Sequence, residues 1–231
     1  MNLPMRYIDG IAILRPGDRF PDPNRGPADR PVAIGIELTP TLMLKGYACG
    51  IFPWSVSPVT WWSPDPRAIF ELDGLYISRR LARTIRKNQF QIRFDTAFHQ
   101  VITECAQPRS EQNGVWITDE FMDAYMQLFR AGYAHSVECW QGDELVGGIF
   151  GVAVGGFFAG ESMFHRVSDA SKIALHFLIE RLRVCGFKLF DIQVMTDHTH
   201  RMGAVEISRS EYLSRLREAI NHTPRPFLNE E

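Results

Sequence analysis

The 231-residue chain has only four cysteines, Cys49, Cys105, Cys139 and Cys185, and all are widely separated. Without a CxxC pair there is no zinc-ribbon spacing, and without density there is no disulfide scaffold, so these read as buried, reduced thiols. No apolar run approaches the roughly 20 residues that a membrane span needs. The start, MNLPMRYIDGIAILRPGD, also lacks the basic-then-apolar plan of a signal peptide. The expectation is a soluble protein of the cytoplasm with no membrane partner. An excess of charge is missing as well, the net value being −2. Nucleic-acid affinity comes mainly from Lys and Arg contacts with phosphates, so any such surface must be local. Finally, GxxxxGK before Ser or Thr, GxGxxG and GxSxG do not occur, which removes the usual nucleotide-cradling and serine-hydrolase signatures.

What is present is globular. Hydrophobic residues make up 45% and charged ones 23%, near the average for a folded domain. The length suits one main domain with a smaller annex.

Along the chain, Arg15 to Pro31 is rich in Pro, Gly and charge and reads as a loop or mobile segment. Thr39, Pro40 and Gly50 mark a short helix from Pro40 to about Cys49. In Ile51 to Phe70, three tryptophans sit among four prolines, which argues against an ordinary helix or central strand. Two readings stand: a stiff loop plugging a junction, or a rigid aromatic wall of a pocket. Ser78 caps a helix through Lys87 with Leu81 and Ile85 inward. Its other faces carry Arg79, Arg80, Arg83, Arg86 and Lys87, either a solvated face or a phosphate-binding stripe.

After a strand at Gln91 to Phe94, Asp95 is expected to cap a helix to about Ala106, and Thr118 another that stops at Gly132. His135–Trp140, Leu145–Val154 and Phe157–Met163 form an antiparallel meander. Ser168 opens a long helix with Ile173, Leu175, Leu178, Ile179 and Leu182 as apolar positions. Gly186 closes it before a strand at Lys188–Met195, making a crossover unit. Ser208 and Glu211 form a capping box for a last helix to about Ile220. The tail NHTPRPFLNEE reads as frayed. Meander, helix and returning strand match the plan of GCN5-related N-acetyltransferase-type acyltransferases, an analogy of fold that does not fix function.

Three sets of residues stand out chemically. Asp191 and Gln193 are two apart on KLFDIQVMT and share a strand face. A polar pair on an apolar strand needs partners or a ligand, and a structural hydrogen-bond pair is the plainer alternative. Glu161 in AGESMF suits either a cationic ligand or a salt bridge to a nearby Arg. Asp197, His198 and His200 suggest a metal, but no third nitrogen or thiol ligand lies nearby, so a polar loop without metal is expected. The segment HRVSDASK before the long helix lacks the glycine-rich pyrophosphate loop of coenzyme A-dependent relatives.

Taken together, the residues resemble one family. GIFPW (Gly50–Trp54), WWSPDPRA (Trp61–Ala68), ISR (Ile77–Arg79), WIT (Trp116–Thr118), GYAHS (Gly132–Ser136), ELVGG (Glu144–Gly148), GESMF (Gly160–Phe164), ASK (Ala170–Lys172) and D-x-Q-V (Asp191–Val194) are similar, in this order, to motifs of the bacterial leucyl/phenylalanyl-tRNA–protein transferases. The resemblance spans about Gly35 to Leu213. It implies an α+β fold in which a small N-terminal domain, 1–75, packs on a GCN5-related acyltransferase-like domain with a mixed sheet, 76–231. It implies transfer of Leu or Phe from Leu-tRNA or Phe-tRNA to acceptors with N-terminal Arg or Lys, Met being a third candidate, with no cofactor or metal and a monomeric enzyme. The product would carry a destabilising N-terminus for the N-end rule pathway.

By motif position the resemblance implies a donor side-chain pocket of Trp54, Trp116, Ile149, Met163, Leu175, Leu178 and Leu182. It implies catalytic Asp191 and Gln193, with Glu161 attracting the cationic acceptor, and a tRNA grip by Arg79, Arg80, Arg83, Arg86 and Lys87. A glutamine amide has no useful basicity, so orienting the amine, with Asp191 fixing Gln193, is its expected role. The competing readings are a coenzyme A-dependent N-acetyltransferase and a catalytically silent tRNA-binding module.

Overall fold

The computed structural model describes residues 4–35, 37–108 and 116–228. In chain order, β1 (Arg6–Ile8), β2 (Ile11–Ile13) and β3 (Ala33–Gly35) precede α1 (Pro40–Ala48), where the Thr39 side chain accepts the Leu42 N–H as the sequence predicts. The chain continues through β4 (Phe52–Val56) and β5 (Val59–Trp62), which complete a five-stranded sheet of order β1-β2-β3-β5-β4.

β6 (Arg67–Phe70), α2 (Arg79–Arg86), β7 (Gln91–Phe94), α3 (Phe98–Cys105), α4 (Asp119–Arg130), β8 (Ala134–Gln141), β9 (Glu144–Val154) and β10 (Phe157–His165) follow. After them come α5 (Ala170–Cys185), β11 (Leu189–Gln193), α6 (Asp197–Arg201), β12 (Val205–Ile207) and α7 (Arg209–Ile220). The second sheet has seven strands in the order β12-β6-β11-β10-β9-β8-β7. It is mixed: β10 and β11 are parallel, and the other neighbours antiparallel. The fold is therefore α/β with mixed sheets.

Two apolar clusters hold the layers. One gathers α1, α3, α4, α7 and the first sheet, with Trp61, Phe121 and Leu216 buried in it. The other lies under α5, whose Ile173, Leu175, Leu178, Ile179 and Leu182 are almost wholly buried. Each such side chain contributes about 1.5–3 kcal/mol, so α5 is held by packing far more than by propensity. Its approach to the sheet is close. A Cβ on Gly147 of β9 would lie 2.5 Å from the Ala170 Cβ.

Several sequence expectations are corrected. Ile51–Phe70 forms three strands, and β6 sits inside the larger sheet. Its prolines stay out of central strands: Pro53, paired with Trp61, is on the edge strand β4, Pro58 in the turn before β5, and Pro64 and Pro66 in the link to β6. Asp95 does not cap α3. With φ 57° it turns its carboxylate to the Ser136 N–H (2.6 Å) and His135 Nδ1 (2.7 Å), while Glu138 of β8 accepts the N–H groups of Thr96 and Ala97. Asp169, rather than Ser168, is the N-cap of α5, in a left-handed conformation and without a side-chain cap bond. The Asp197–His200 stretch is a helical turn capped by Thr196 and Thr199, not a loop.

The segment Arg15–Pro31 is mostly loop, yet it is tethered. Arg209 donates to the carbonyls of Gly26 and Pro27 at 2.8 Å each. The tail is also packed as far as it is described: Phe227 is 5% exposed and its ring lies 4.2 Å from that of His135, while residues 229–231 fall outside the described set. Apolar contact outweighs the loop-like composition there. Cys49, unlike the other three cysteines, is exposed, because it stands just past the end of α1. Among the described residues no helix is long and apolar enough to cross a membrane.

Candidate active site

The site begins with two irregularities on neighbouring strands. β10 and β11 pair only from Phe157–Leu189 to Ala159–Asp191. Just beyond, β10 shifts register against β9 between Gly160 and Ser162, and β11 shifts against β6 between Asp191 and Gln193. Gln193 takes φ 60°, a left-handed conformation for a non-glycine residue. Bulges re-aim side chains and end pairing. Where the two strands part, a cavity of about 570 Å³ opens, lined by residues of both, Glu161 and Gln193 included.

Its chemistry is layered. Asp191, 0% exposed, is ion-paired with Arg67, 1% exposed. Arg67 Nε donates to Oδ1 at 2.8 Å and Nη2 to Oδ2 at 2.6 Å. The Tyr212 hydroxyl donates to Oδ2 at 3.0 Å, and the Gln193 backbone N–H to Oδ1 at 2.9 Å. Burial works against the charge on Arg67, and the Asp191 carboxylate outweighs it, so the guanidinium is held even more firmly protonated than usual. Asp191 thus fixes the backbone of Gln193 in its left-handed turn and does not line the cavity.

Glu161 is the group that faces the cavity. Its Oε1 accepts from the Tyr47 hydroxyl at 2.8 Å and from Gln193 Nε2 at 3.2 Å, and its Oε2 accepts from the Tyr125 hydroxyl at 2.8 Å. Loss of water around the carboxylate pushes its pKa up to about 7, the two tyrosine hydroxyls pull it down, and Asp191 adds to the rise. Burial also raises Tyr47 and Tyr125 well above the ordinary phenol value, so both stay protonated donors. Near neutral pH Glu161 is therefore divided between an anion that attracts an ammonium and an acid that holds a proton.

The apolar part of its lining includes Trp116, Ile149, Met163 and Leu175, and Glu104, His165 and Arg166 add polar and charged groups. Four of the seven residues expected for a donor pocket thus meet Glu161 and Gln193 in one cavity. Leu178 and Leu182, 1% and 0% exposed, pack inside the core beneath α5. Trp54 is 46% exposed on β4, its ring 5.2 Å from that of Trp62. The cations of α2 lie outside the cavity, all exposed. Sequence reasoning missed Arg67, Tyr47, Tyr125 and Tyr212. The tyrosines fall on apolar helix faces and pass for core, and the only signal for Arg67 was a charge just ahead of the apolar run Ala68-Ile69-Phe70. Among the described residues no group of three or more His, Cys, Asp and Glu could hold a metal ion.

A cavity that joins apolar side chains to a buried carboxylate and an amide, placed where two parallel strands of a mixed sheet diverge, is the architecture of an α/β enzyme's binding site. The comparisons with known proteins specify it further. The family model of the leucyl/phenylalanyl-tRNA protein transferase matches residues 69–217, and that of its N-terminal domain matches 36–65. The leucyl/phenylalanyl-tRNA–protein transferase of Alkalilimnicola ehrlichii is 52% identical, over 82% of this chain and 74% of its own length. Those of Nitratidesulfovibrio vulgaris (strain DP4) and Anaeromyxobacter sp. (strain Fw109-5) are 47% and 46% identical, each over 89% of its own length and over 89% and 90% of this chain. The chain belongs to the leucyl/phenylalanyl-tRNA–protein transferase family. Among solved structures, L-PGS from Bacillus licheniformis aligns with a TM-score of 0.37 at 14% identity, over 72% of this chain and 54% of that one, a likeness too weak to assign the fold.

Proposed function

We propose that this protein transfers Leu or Phe from its aminoacyl-tRNA to the N-terminal amine of proteins beginning with Arg or Lys. The observation that carries this reading is the meeting of Glu161 and Gln193 with the apolar wall of Trp116, Ile149, Met163 and Leu175. The apolar wall takes the donor side chain. Because one methylene changes affinity by only about 1–3 kcal/mol, such a wall accepts both Leu and Phe. The ionised Glu161 draws in the cationic acceptor, and Gln193 orients its amine.

The amine nitrogen attacks the ester carbonyl, the C–N bond forms, and the C–O bond to the terminal ribose breaks. The proton lost by the amine ends on the ribose oxygen. An α-amino group has a pKa of about 7.7–8, so part of it is already neutral at pH 7, and the ester is activated. Holding the two together supplies much of the acceleration.

The donor's stem rests on α2, whose Arg79, Arg80, Arg83, Arg86 and Lys87 give the phosphates a cationic ridge without reading sequence. The donor places the reaction in the cytoplasm, and the product carries a destabilising N-terminus for the N-end rule pathway. The expected boundary of the small N-terminal domain, residue 75, is drawn back ahead of β6, because β6 belongs to the seven-stranded sheet and the two matched family models meet between 65 and 69. The meander, α5 and the returning β11 support a GCN5-related reading of the larger sheet.

The test incubates the protein with labelled Leu-tRNA or Phe-tRNA and a peptide beginning with Arg or Lys, in parallel with acetyl-CoA as donor. Label reaching the peptide from tRNA, and lost in Gln193→Ala, is the expected result. Acetylation without transfer from tRNA would overturn the reading. Asp169 at the start of α5, only 8% exposed, is poorly suited to receive a coenzyme A pyrophosphate.

A further inference from the structure

Beside the reaction cavity lies a second, smaller one of about 200 Å³ that nothing above has used, lined among others by Tyr76, Ser78, Lys172, His198 and Arg201. Three observations connect it to its surroundings. His198 lines both this niche and the main cavity, so the two adjoin. Ser78 is the N-cap of α2, so the niche also adjoins the cationic helix. Asp169 ties the sides together, with Lys172 Nζ 3.0 Å from its Oδ1 and Arg80 Nε 3.6 Å from its Oδ2. The niche therefore lies between the α2 stripe and the chamber.

Its lining has a chemical signature. Arg201 brings positive charge, and Lys172 and Arg80 together exceed the single Asp169 carboxylate that they share. Tyr76 is an aromatic side chain left 63% exposed. Its backbone is nonetheless fixed, because its N–H donates to the Met202 carbonyl at 2.9 Å at the end of α6. An exposed aromatic ring on a fixed backbone, set among cations, is how proteins hold single-stranded nucleic acid, the ring stacking on a base and the cations facing the phosphates.

We propose that this niche binds the penultimate nucleotide of the donor's single-stranded 3′ end, with its base on Tyr76 and its phosphate against Lys172 and Arg201. The inference rests on the reading that aminoacyl-tRNA is the donor. The strand then runs from the stem on α2, through the niche, to the esterified nucleotide in the chamber. This gives the protein a way to prefer an RNA 3′ end over any other apolar ester, independently of the amino acid.

The experiment measures inhibition of transfer from Phe-tRNA by two probes, the trinucleotide CCA and adenosine alone. In the unaltered protein CCA binds more tightly than adenosine. Tyr76→Ala is expected to weaken CCA about tenfold, within the range for loss of one stacked base, and to leave adenosine unchanged, so the advantage of the longer probe collapses. Tyr76→Phe retains it, Arg201→Ala reduces it, and the KM for the acceptor peptide does not move. Equal weakening of both probes by Tyr76→Ala, or no weakening of CCA, or no inhibition by CCA at all, would overturn the niche while transfer itself stands. Failure of the unaltered protein to transfer from tRNA would sink the donor reading and the niche with it.

Discussion

Removing one hydroxyl from Tyr125 tests whether Glu161 is tuned as described. In Tyr125→Phe the ring still fills its place, since Tyr125 is 0% exposed and packs 5.2 Å from Phe150. What is lost is the donor to Glu161 Oε2 at 2.8 Å. A hydrogen bond to a charged group contributes about 1.5–3 kcal/mol. One pKa unit corresponds to about 1.4 kcal/mol, so the carboxyl should rise by about 1–2 units. Starting from about 7, its midpoint moves to roughly 8–9.

Two assays read this. Carbon NMR of the labelled Glu161 carboxyl gives the midpoint directly. The acceptor-peptide KM, which falls as Glu161 ionises, should begin to fall at higher pH in the variant. Neutralisation of the peptide's own amine also raises turnover with pH, but that limb belongs to the substrate and stays in place. Stability supplies an independent check. A folded pKa of about 7 against an ordinary 4.5 means that between these values the folded protein keeps a proton that the unfolded chain gives up. Stability is therefore fully present below pH 4.5 and declines up to about 7, by roughly 3 kcal/mol in total. In Tyr125→Phe the decline continues to the higher midpoint, and in Glu161→Gln it disappears. A carboxyl that titrates at the same pH, or lower, in Tyr125→Phe would refute the reasoning.

Other predictions follow from the same contacts. Asp191→Ala leaves Arg67 buried without its counter-charge and should cost about 3–5 kcal/mol in urea unfolding, while the double change Arg67→Met with Asp191→Leu recovers much of it; equal losses in both would argue against a charge effect. Arg83→Glu with Arg86→Glu should weaken aminoacyl-tRNA binding and flatten its salt dependence, and unchanged binding across a salt series would remove α2 from the tRNA site. Phe227→Ala should lower stability by about 3–5 kcal/mol because the ring is 5% exposed against His135 and Phe158; a melting temperature within a degree of the unaltered protein would show that the tail is dispensable.

Local signals in the sequence were legible where structure is decided locally. Thr39, Ser78 and Ser208 cap α1, α2 and α7 through their side chains, and the meander β8–β10 follows its β-type runs and the turn sequences between them. Errors came where distant residues take over a local role. Asp95 carries a cap residue's identity, but the strand beside it offers Ser136 and His135, and those contacts win. Phe227 sits in a segment whose composition says loop, yet the groove it fills is made by Phe94, His135 and Phe158 from three separate strands. Prolines in Ile51–Phe70 argue against strands only until their positions at an edge, a turn and a link are known. The same limit governs the site. Motif order pointed to Glu161, Asp191 and Gln193, but spacing alone put Asp191 and Gln193 on one face, and the bulge between them separates their tasks.

On the proposed reading, that separation decides which carboxylate meets the substrate. Arg67, from β6, is the one buried cation in the cluster, and its donors go to Asp191, the Tyr212 hydroxyl and the Gly50 carbonyl. Glu161 accepts its hydrogen bonds from two phenols and an amide, drawn from α1, α4 and β11, and the Arg67 charge lowers its pKa through space alone. A guanidinium paired with Glu161 instead would hold it ionised and saturated, with nothing left to attract an ammonium. An absence of donors would leave it protonated and inert at neutral pH. Neutral hydrogen bonds in a desolvated place put it between these extremes, at about 7, close to the range in which an α-amino group itself exchanges its proton. On the proposed reading the cationic acceptor meets a carboxylate that ionises near the pH at which its own amine loses a proton, while the buried Arg67–Asp191 pair holds the Gln193 backbone in its turn.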